Sequence, residues 1–291
     1  MIEKYFNKEL EPFLEKIKQS IFDAYENDLG SGDITTEAVV KPMAINAVIK
    51  SKDEGILAGA YEATSLFEKL GVKVKQIYDD GDEIKKGSVV MELEGDAGKI
   101  LQAERTALNF ITRLSGIATA THEIASKTKL KIAATRKTVL SYNDKRAVVL
   151  GGGYTHRLGL FDQYLIKDNH ISAVQKELNC TRLEAIKECI RRVKKTNRDK
   201  AIEIEVENFD EAMAATEEKP DIIMLDNIKF SDMKRIVENL KGSGIVVEAS
   251  GGVISKNIKK VEKTGVNVAS SSCITYSSKP LDMALEVLIC T

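Results

Sequence analysis

Ile202-Glu203-Ile204-Glu205-Val206 runs into Phe209 to Glu217, and Ile222-Ile223-Met224-Leu225 runs into Phe230 to Leu240. Each pair is a short apolar run, too brief for a helix, followed by a longer segment with helical spacing. The texture extends in both directions. Upstream lie Leu130 to Ala134 with Asn143 to Leu150, and Gln163 to Ile166 with a helix ending near Lys195. Downstream lie Ile245 to Ala249 with Ser255 to Thr264, and Val266 to Ser270 with a last helix over Pro280 to Ile289. Strand–helix units in series mean parallel strands with crossover helices. A strand contributed from further upstream would bring them close to a (β/α) barrel.

The first half differs. Residues 1 to about 25 read as a helix, with Leu10, Phe13, Leu14, Ile17, Ile21 and Phe22 near helical spacing. Asp28 to Val40 is Gly- and Thr-rich and reads as irregular. Ala44 to Lys50 and Val72 to Asp79 read as strands around a helix from Tyr61 to Leu70, and Asp80 to Gly95 sets turn residues between strand-like runs. This small β-rich domain has some likeness to biotinyl or lipoyl carriers, but no Lys sits at a hairpin tip. Gln102 to about Lys127 reads as one or two helices.

The bulk numbers narrow the class. The 291 residues are 43% apolar and 30% charged, as in a soluble globular protein. A net charge of −1 argues against nucleic acid as the main partner. There is no apolar run long enough for a transmembrane helix, and the first residues lack a secretory layout. Cys180, Cys189, Cys273 and Cys290 lack zinc spacing and read as reduced thiols of a cytoplasmic protein.

In such barrels the chemistry lies at the carboxyl ends of the strands. Here the first strand runs into Thr135-Arg136-Lys137 and the second into Lys167-Asp168-Asn169-His170. The third carries Glu205 and Glu207, the fourth ends in Asp226-Asn227, the fifth in Ser250-Gly251-Gly252 and the sixth in Ser270-Ser271-Ser272. With His156 and Arg157, the basic ends can neutralise several charges on a strongly anionic small molecule. Glu205 and Asp226 suit ribose hydroxyls or a hydrated magnesium ion. The small ends let backbone N–H groups approach a phosphate. His122 reads as a packing or surface residue of a helix, and His170 as hydrogen-bonding within its loop. Gly151-Gly152-Gly153 is no dinucleotide fingerprint, since no suitable strand precedes it.

Several segments together resemble the nicotinate-nucleotide pyrophosphorylase (carboxylating), or quinolinate phosphoribosyltransferase, family. They are Gly32 to Thr36, Glu104 to Asn109, Leu114 to Thr119, Thr135 to Thr138, Gly151 to Arg157, Leu165 to His170, Ile202 to Asn208, Leu225 to Asn227 and Ala249 to Gly252. The resemblance implies an N-terminal α/β sandwich domain over 1–115, followed over 116–291 by an incomplete TIM-like (β/α) barrel, with the chain end packing back on the first domain. It implies transfer of phosphoribosyl from phosphoribosyl pyrophosphate to quinolinate with decarboxylation, magnesium accompanying the pyrophosphate, and a homodimer. Arg136, Lys137, His156, Arg157 and Lys167 match quinolinate-binding positions, and Arg105 would cross from the partner subunit. Glu205 and Asp226 match residues that hold ribose and magnesium, while Ser250 and Gly251 match the 5-phosphate site. Thr135 and Ser272 complete the substrate-binding set, and Lys137, Lys167, Glu205 and Asp226 are the expected catalytic residues.

Two departures stand out. After Thr138 the family usually continues Thr-Pro-Gly and then an Arg, whereas Val139 to Arg146 follows here in a loop about two residues shorter. Arg146 is a candidate replacement for the displaced Arg. At the sixth strand Ser272 stands where the family usually has Gly. Both changes touch the expected pocket, so two alternatives stay open: a paralogue acting on a different anionic aromatic acceptor, and a non-catalytic ligand-binding relative.

Overall fold

The computed structural model describes residues 5–6, 9–196 and 199–289. These fall into two compact units, one from residues within 8–122, 138–152 and 274–291, the other from 1–7, 123–137 and 153–273.

The first unit begins with a 3-10 turn, Glu11–Phe13, that leads into α1 (Leu14–Leu29). Residues 1–4 and 7–8 of the helix expected over 1 to about 25 lie outside the described residues; α1 itself starts at Leu14, since Pro12 lacks an N–H and suits only a first turn. Ile17, Ile21 and Tyr25 form its buried stripe. The segment read as irregular contains α2 (Ile34–Val39), capped by Asp33, whose carboxylate accepts the N–H groups of Thr35 and Thr36.

An antiparallel sheet follows, in the order β12-β1-β5-β3: β1 (Ala44–Ser51), β3 (Lys73–Gln76), β5 (Val89–Asp96) and β12 (Met283–Leu288). The last of these corrects the sequence reading, which put a helix over Pro280 to Ile289. Met283 to Leu288 pairs with β1 from Ser51 back to Asn46, and a ready edge overrides the helical preference of Met, Ala, Leu and Glu. β2 (Gly55–Ile56) and β4 (Glu83–Ile84) form a small ladder, while α3 (Ala60–Lys69), the single long α4 (Ala97–Ala125) and α5 (Tyr142–Leu150) supply the helices.

The second unit is a parallel sheet in the order β6-β11-β10-β9-β8-β7. It comprises β6 (Lys131–Ala133), β7 (Tyr164–Ile166), β8 (Ile202–Val206), β9 (Ile222–Asp226), β10 (Val246–Ser250) and β11 (Val268–Ser270). The first strand pairs with the last, which is the wrap of a barrel, and Tyr154 adds a parallel bridge to Ala133. The architecture is an incomplete (β/α) barrel together with an N-terminal α/β sandwich unit. The helices are α6 (Asp168–Leu178), α7 (Arg182–Lys195), α8 (Phe209–Glu217), α9 (Phe230–Leu240) and a short α10 (Ile258–Glu262). The expected single helix before Lys195 is two, because Asn179 turns left-handed and Thr181 caps a new start.

Ala133, Ile222, Val246 and Val268 cluster with Phe6 to form a core. Two residues further along come Met224 and Glu248, then Asp226 and Ser250, in matched register on adjacent strands. Period-2 alternation therefore carries one face of each strand from apolar to polar toward its carboxyl end. Among the described residues no helix is long and apolar enough to cross a membrane. Cys180, Cys189 and Cys273 are free thiols, and Cys290 lies outside the described residues.

Candidate active site

The carboxyl ends of the barrel strands enclose a cavity of about 530 Å³. Its basic side is Thr135, Arg136 and Lys137 beyond β6, with His156, Arg157 and Lys167. The hydroxyl of Thr135 accepts the Lys137 amide at 3.1 Å, which folds this short segment back on itself. Glu205 on β8 and Asp226 on β9 form the acidic side. Ser250, Gly251 and Gly252 beyond β10, with Ser270 to Cys273 at the end of β11, form the third. The structure thus gathers the sequence-expected residues of the barrel into one space. Arg105 is exposed on α4 and does not line this cavity.

The electrostatics favour an anion. Burial, followed by the positive charge of Arg136, holds the Arg157 guanidinium below its ordinary value. An anionic ligand relieves the cost that burial and the charge of Arg136 place on the Arg157 guanidinium. Lys167 donates from Nζ to Oε2 of Glu205 at 2.5 Å, and Asn227 donates from Nδ2 to Oδ2 of Asp226 at 3.0 Å.

The third side is built from backbone. Gly251 and Gly252 have φ of +84° and +63°, consecutive left-handed residues whose lack of Cβ lets a ligand approach the backbone closely. A Cβ on Gly251 would lie 2.3 Å from Oδ1 of Asn227. Ser271 is locked in place, its N–H donating to the Ala133 carbonyl at 3.1 Å and its hydroxyl to that of Val253 at 2.6 Å. Ser272 is absent from the residues with positive φ, so its side chain sits there without left-handed strain.

His156 is buried, with φ of +52°. Its Nε2 lies 3.6 Å from Glu203 and 3.4 Å from Glu248, both fully buried. Burial disfavours charge on the ring, while Glu248 and Glu203 draw its proton affinity up, to about 10. Yet Nδ1 accepts the Arg157 amide at 2.7 Å, and a lone pair that accepts an N–H carries no proton. The two observations conflict over a doubly protonated ring. The hydrogen bond decides: the ring keeps one proton, on Nε2, facing the carboxylates.

Glu203, Glu248 and Gln163 were not singled out in the sequence. The available signal was the two-residue step from Glu203 to Glu205 and from Glu248 to Ser250, which places each acid on the face of an expected site residue. His122 is exposed on α4, and His170 Nδ1 accepts the Lys167 amide at 2.9 Å at the start of α6. Arg146 lines no part of the cavity, since its guanidinium is tied to Asp80 at 2.7 Å and Glu62 at 3.3 Å.

Residues 33–115 match the N-terminal domain of quinolinate phosphoribosyl transferase, and residues 117–286 match its C-terminal domain. A probable nicotinate-nucleotide pyrophosphorylase (carboxylating) of Methanocaldococcus jannaschii is 41% identical over 279 residues, spanning 90% of this chain and 94% of the relative. One from Bacillus subtilis is 36% identical, spanning 94% of each. The solved nicotinate-nucleotide pyrophosphorylase of Francisella tularensis superposes with a TM-score of 0.83 at 34% identity, covering 94% of this chain and 96% of that one.

Proposed function

The chain belongs to the quinolinate phosphoribosyl transferase family, and from that premise we infer that it is a carboxylating nicotinate-nucleotide pyrophosphorylase of NAD biosynthesis. It transfers phosphoribosyl from phosphoribosyl pyrophosphate to the ring nitrogen of quinolinate. The C2 carboxylate leaves as carbon dioxide, giving nicotinate mononucleotide and pyrophosphate. The observation that carries this reading is one cavity with paired arginines on one side, two carboxylates on another and a left-handed glycine pair on the third.

Arg136, Arg157, Lys137 and Lys167, with Thr135 and His156 beside them, bind the two carboxylates of quinolinate and aim its nitrogen at the ribose. Glu205 and Asp226 hold the ribose hydroxyls. Ser250, Gly251 and Ser272 take the 5-phosphate. Departure of pyrophosphate leaves positive charge on the ribose anomeric carbon, so the protein works by positioning and charge and needs no nucleophile of its own. The new glycosidic bond makes the ring nitrogen cationic. The electron pair of the breaking carboxylate bond then stays at C2, where that nitrogen stabilises it until a proton arrives. Lys137 and Lys167 hold the carboxylates during this step.

Two carboxylates near the ends of neighbouring strands are hard oxygen donors that suit hydrated magnesium. Glu205 and Asp226 fit the ion, directly, through water or through the ribose it accompanies. When bound, magnesium offsets charge on the leaving pyrophosphate. We further propose a cytoplasmic homodimer in which Arg105 completes the partner's pocket, a reading supported by the family match and by the exposed Arg105 side chain. Mixing Arg105→Ala and Glu205→Ala subunits should restore activity that neither variant has alone; no recovery removes the shared site.

The direct experiment supplies purified protein with quinolinate, phosphoribosyl pyrophosphate and magnesium, following nicotinate mononucleotide and carbon dioxide together. Turnover lost in Lys137→Ala and Arg157→Ala supports the reading. Absence of turnover with phosphoribosyl pyrophosphate still bound redirects it to another anionic aromatic acceptor.

A further inference from the structure

We propose that Glu203 and Glu248 are positioning residues that hold His156, and through it Arg157, in the geometry that grips the anionic ring; this rests on the phosphoribosyl-transfer reading above. Neither acid lines the cavity. Both face the ring that does.

A histidine at φ +52° is strained, and such a conformation persists only where its surroundings over-determine it. Here they do. The Phe6 ring meets the imidazole edge-on, with centroids 5.2 Å apart and planes at 88°. Nε2 faces Glu203 and Glu248 at 3.6 and 3.4 Å, and Nδ1 takes the Arg157 amide. The guanidinium of Arg157 is held as well, Nη1 donating to the Gln163 carbonyl at 3.4 Å. Gln163 in turn donates from Nε2 to Oε2 of Glu203 at 2.5 Å. Glu203 therefore reaches Arg157 by two routes, one through the imidazole and one through Gln163. Among the described residues no hydrogen bond reaches either oxygen of Glu248, so the imidazole is the polar group this acid serves.

The same three side chains have the make-up of a cation site, their ligand atoms lying within 4.8 Å of one another. The ring tautomer argues against that use. A cation on Nε2 needs that nitrogen bare and the proton moved to Nδ1, where it would confront the Arg157 N–H.

Glu248→Gln and Glu203→Gln keep size and lose charge. With wild-type turnover as the control for the reaction itself, each variant should raise KM for quinolinate about tenfold, leave KM for phosphoribosyl pyrophosphate within about twofold and lower kcat less than it raises KM. Equal shifts in both KM values, or none, overturn the proposal. A second readout needs no turnover and no variant of either acid: the ¹⁵N shifts of the imidazoles in the wild-type protein, assigned with His122→Gln and His170→Gln. A His156 ring protonated on Nε2 alone near neutral pH supports the arrangement. Protonation on Nδ1, or stoichiometric metal by elemental analysis that is lost in Glu248→Gln, overturns it. A protein without turnover but with the Nε2–H ring would sink the reaction and leave the arrangement standing.

Discussion

The ammonium of Lys167, at the end of β7, donates to the carboxylate of Glu205 on the neighbouring β8 at 2.5 Å. The cation proposed for the acceptor ring and the acid proposed for the ribose are thus each other's partner. On that proposal, binding exchanges this bond for two new ones. Lys167→Ala should raise KM for quinolinate, and Glu205→Ala should lower kcat, each by about a hundredfold. Because the groups touch, the double variant should lose less than the product of the single losses. Steady-state kinetics of the three proteins decides it, and strictly multiplicative losses would mean that the pair does not act together.

A second acid matters for stability. Burial pushes the Glu62 carboxyl up to about 7, against the pull of Arg146. The folded state then keeps a proton that the unfolded chain releases above its ordinary value of 4.5. Protons bound by the folded state alone add stability at low pH, and that contribution is lost as pH rises through about 7. A shift of this size corresponds to about 3 kcal/mol. Urea unfolding between pH 4.5 and 8 should show wild-type stability falling by about that amount relative to Glu62→Gln. Parallel pH curves for the two proteins would place the Glu62 carboxyl near its ordinary value.

Arg146 belongs to the same cluster, bonded to both Glu62 and Asp80, while Asn143 donates to Glu62 at 3.0 Å. Removing it leaves the largely buried Asp80 carboxylate and the buried Glu62 carboxyl without their cationic partner. We expect Arg146→Ala to lower unfolding free energy by about 3 kcal/mol and to leave KM for quinolinate unchanged. A raised KM in a protein of normal stability would revive the idea that this residue replaces the displaced arginine of the family loop.

Nearby, Asp144 gathers the shortened loop. Its carboxylate takes Arg113 in a two-point bond at 3.1 and 2.8 Å and accepts the Val139 amide at 2.8 Å. Asp144→Ala should cost about 3 kcal/mol and expose residues 139–141 to protease. An uncut loop at native stability would show that the loop holds its own shape.

Much of this site was open to reading because strand periodicity and polar strand ends coincide. Asp226 and Ser250 close short strands and Glu205 stands one residue before the end of its own, so locating the strand located the residue. The rest depended on partners distant in sequence. β12 is a strand only because β1 offers an edge, which nothing within Met283 to Leu288 announces. The inward turn of His156 needs a left-handed φ and two acids from β8 and β10. Glu248, within Val-Val-Glu-Ala-Ser, looked like part of an ordinary strand until the barrel closed around it. α2 was missed for a local reason, since two β-branched threonines masked the cap at Asp33.

The left-handed glycine pair gives the sharpest contrast between two small changes. Gly251 combines φ of +84° with a Cβ position 2.3 Å from Oδ1 of Asn227, so Gly251→Ala meets both backbone strain and a clash. Asn227 has little freedom to yield. Its amide donates to the Ser250 carbonyl at 3.0 Å and its side chain to Asp226 at 3.0 Å, so displacing it disturbs the proposed phosphate and ribose sides together. KM for phosphoribosyl pyrophosphate should rise at least about tenfold, with quinolinate binding nearly unchanged. Ser272→Gly makes the opposite kind of change, removing a side chain that sits without left-handed strain. Its effect on either KM should stay within about threefold, because the backbone N–H proposed to serve the phosphate is common to both residues. A large, selective change in acceptor preference for Ser272→Gly would instead make that hydroxyl the determinant of which anionic ring is used.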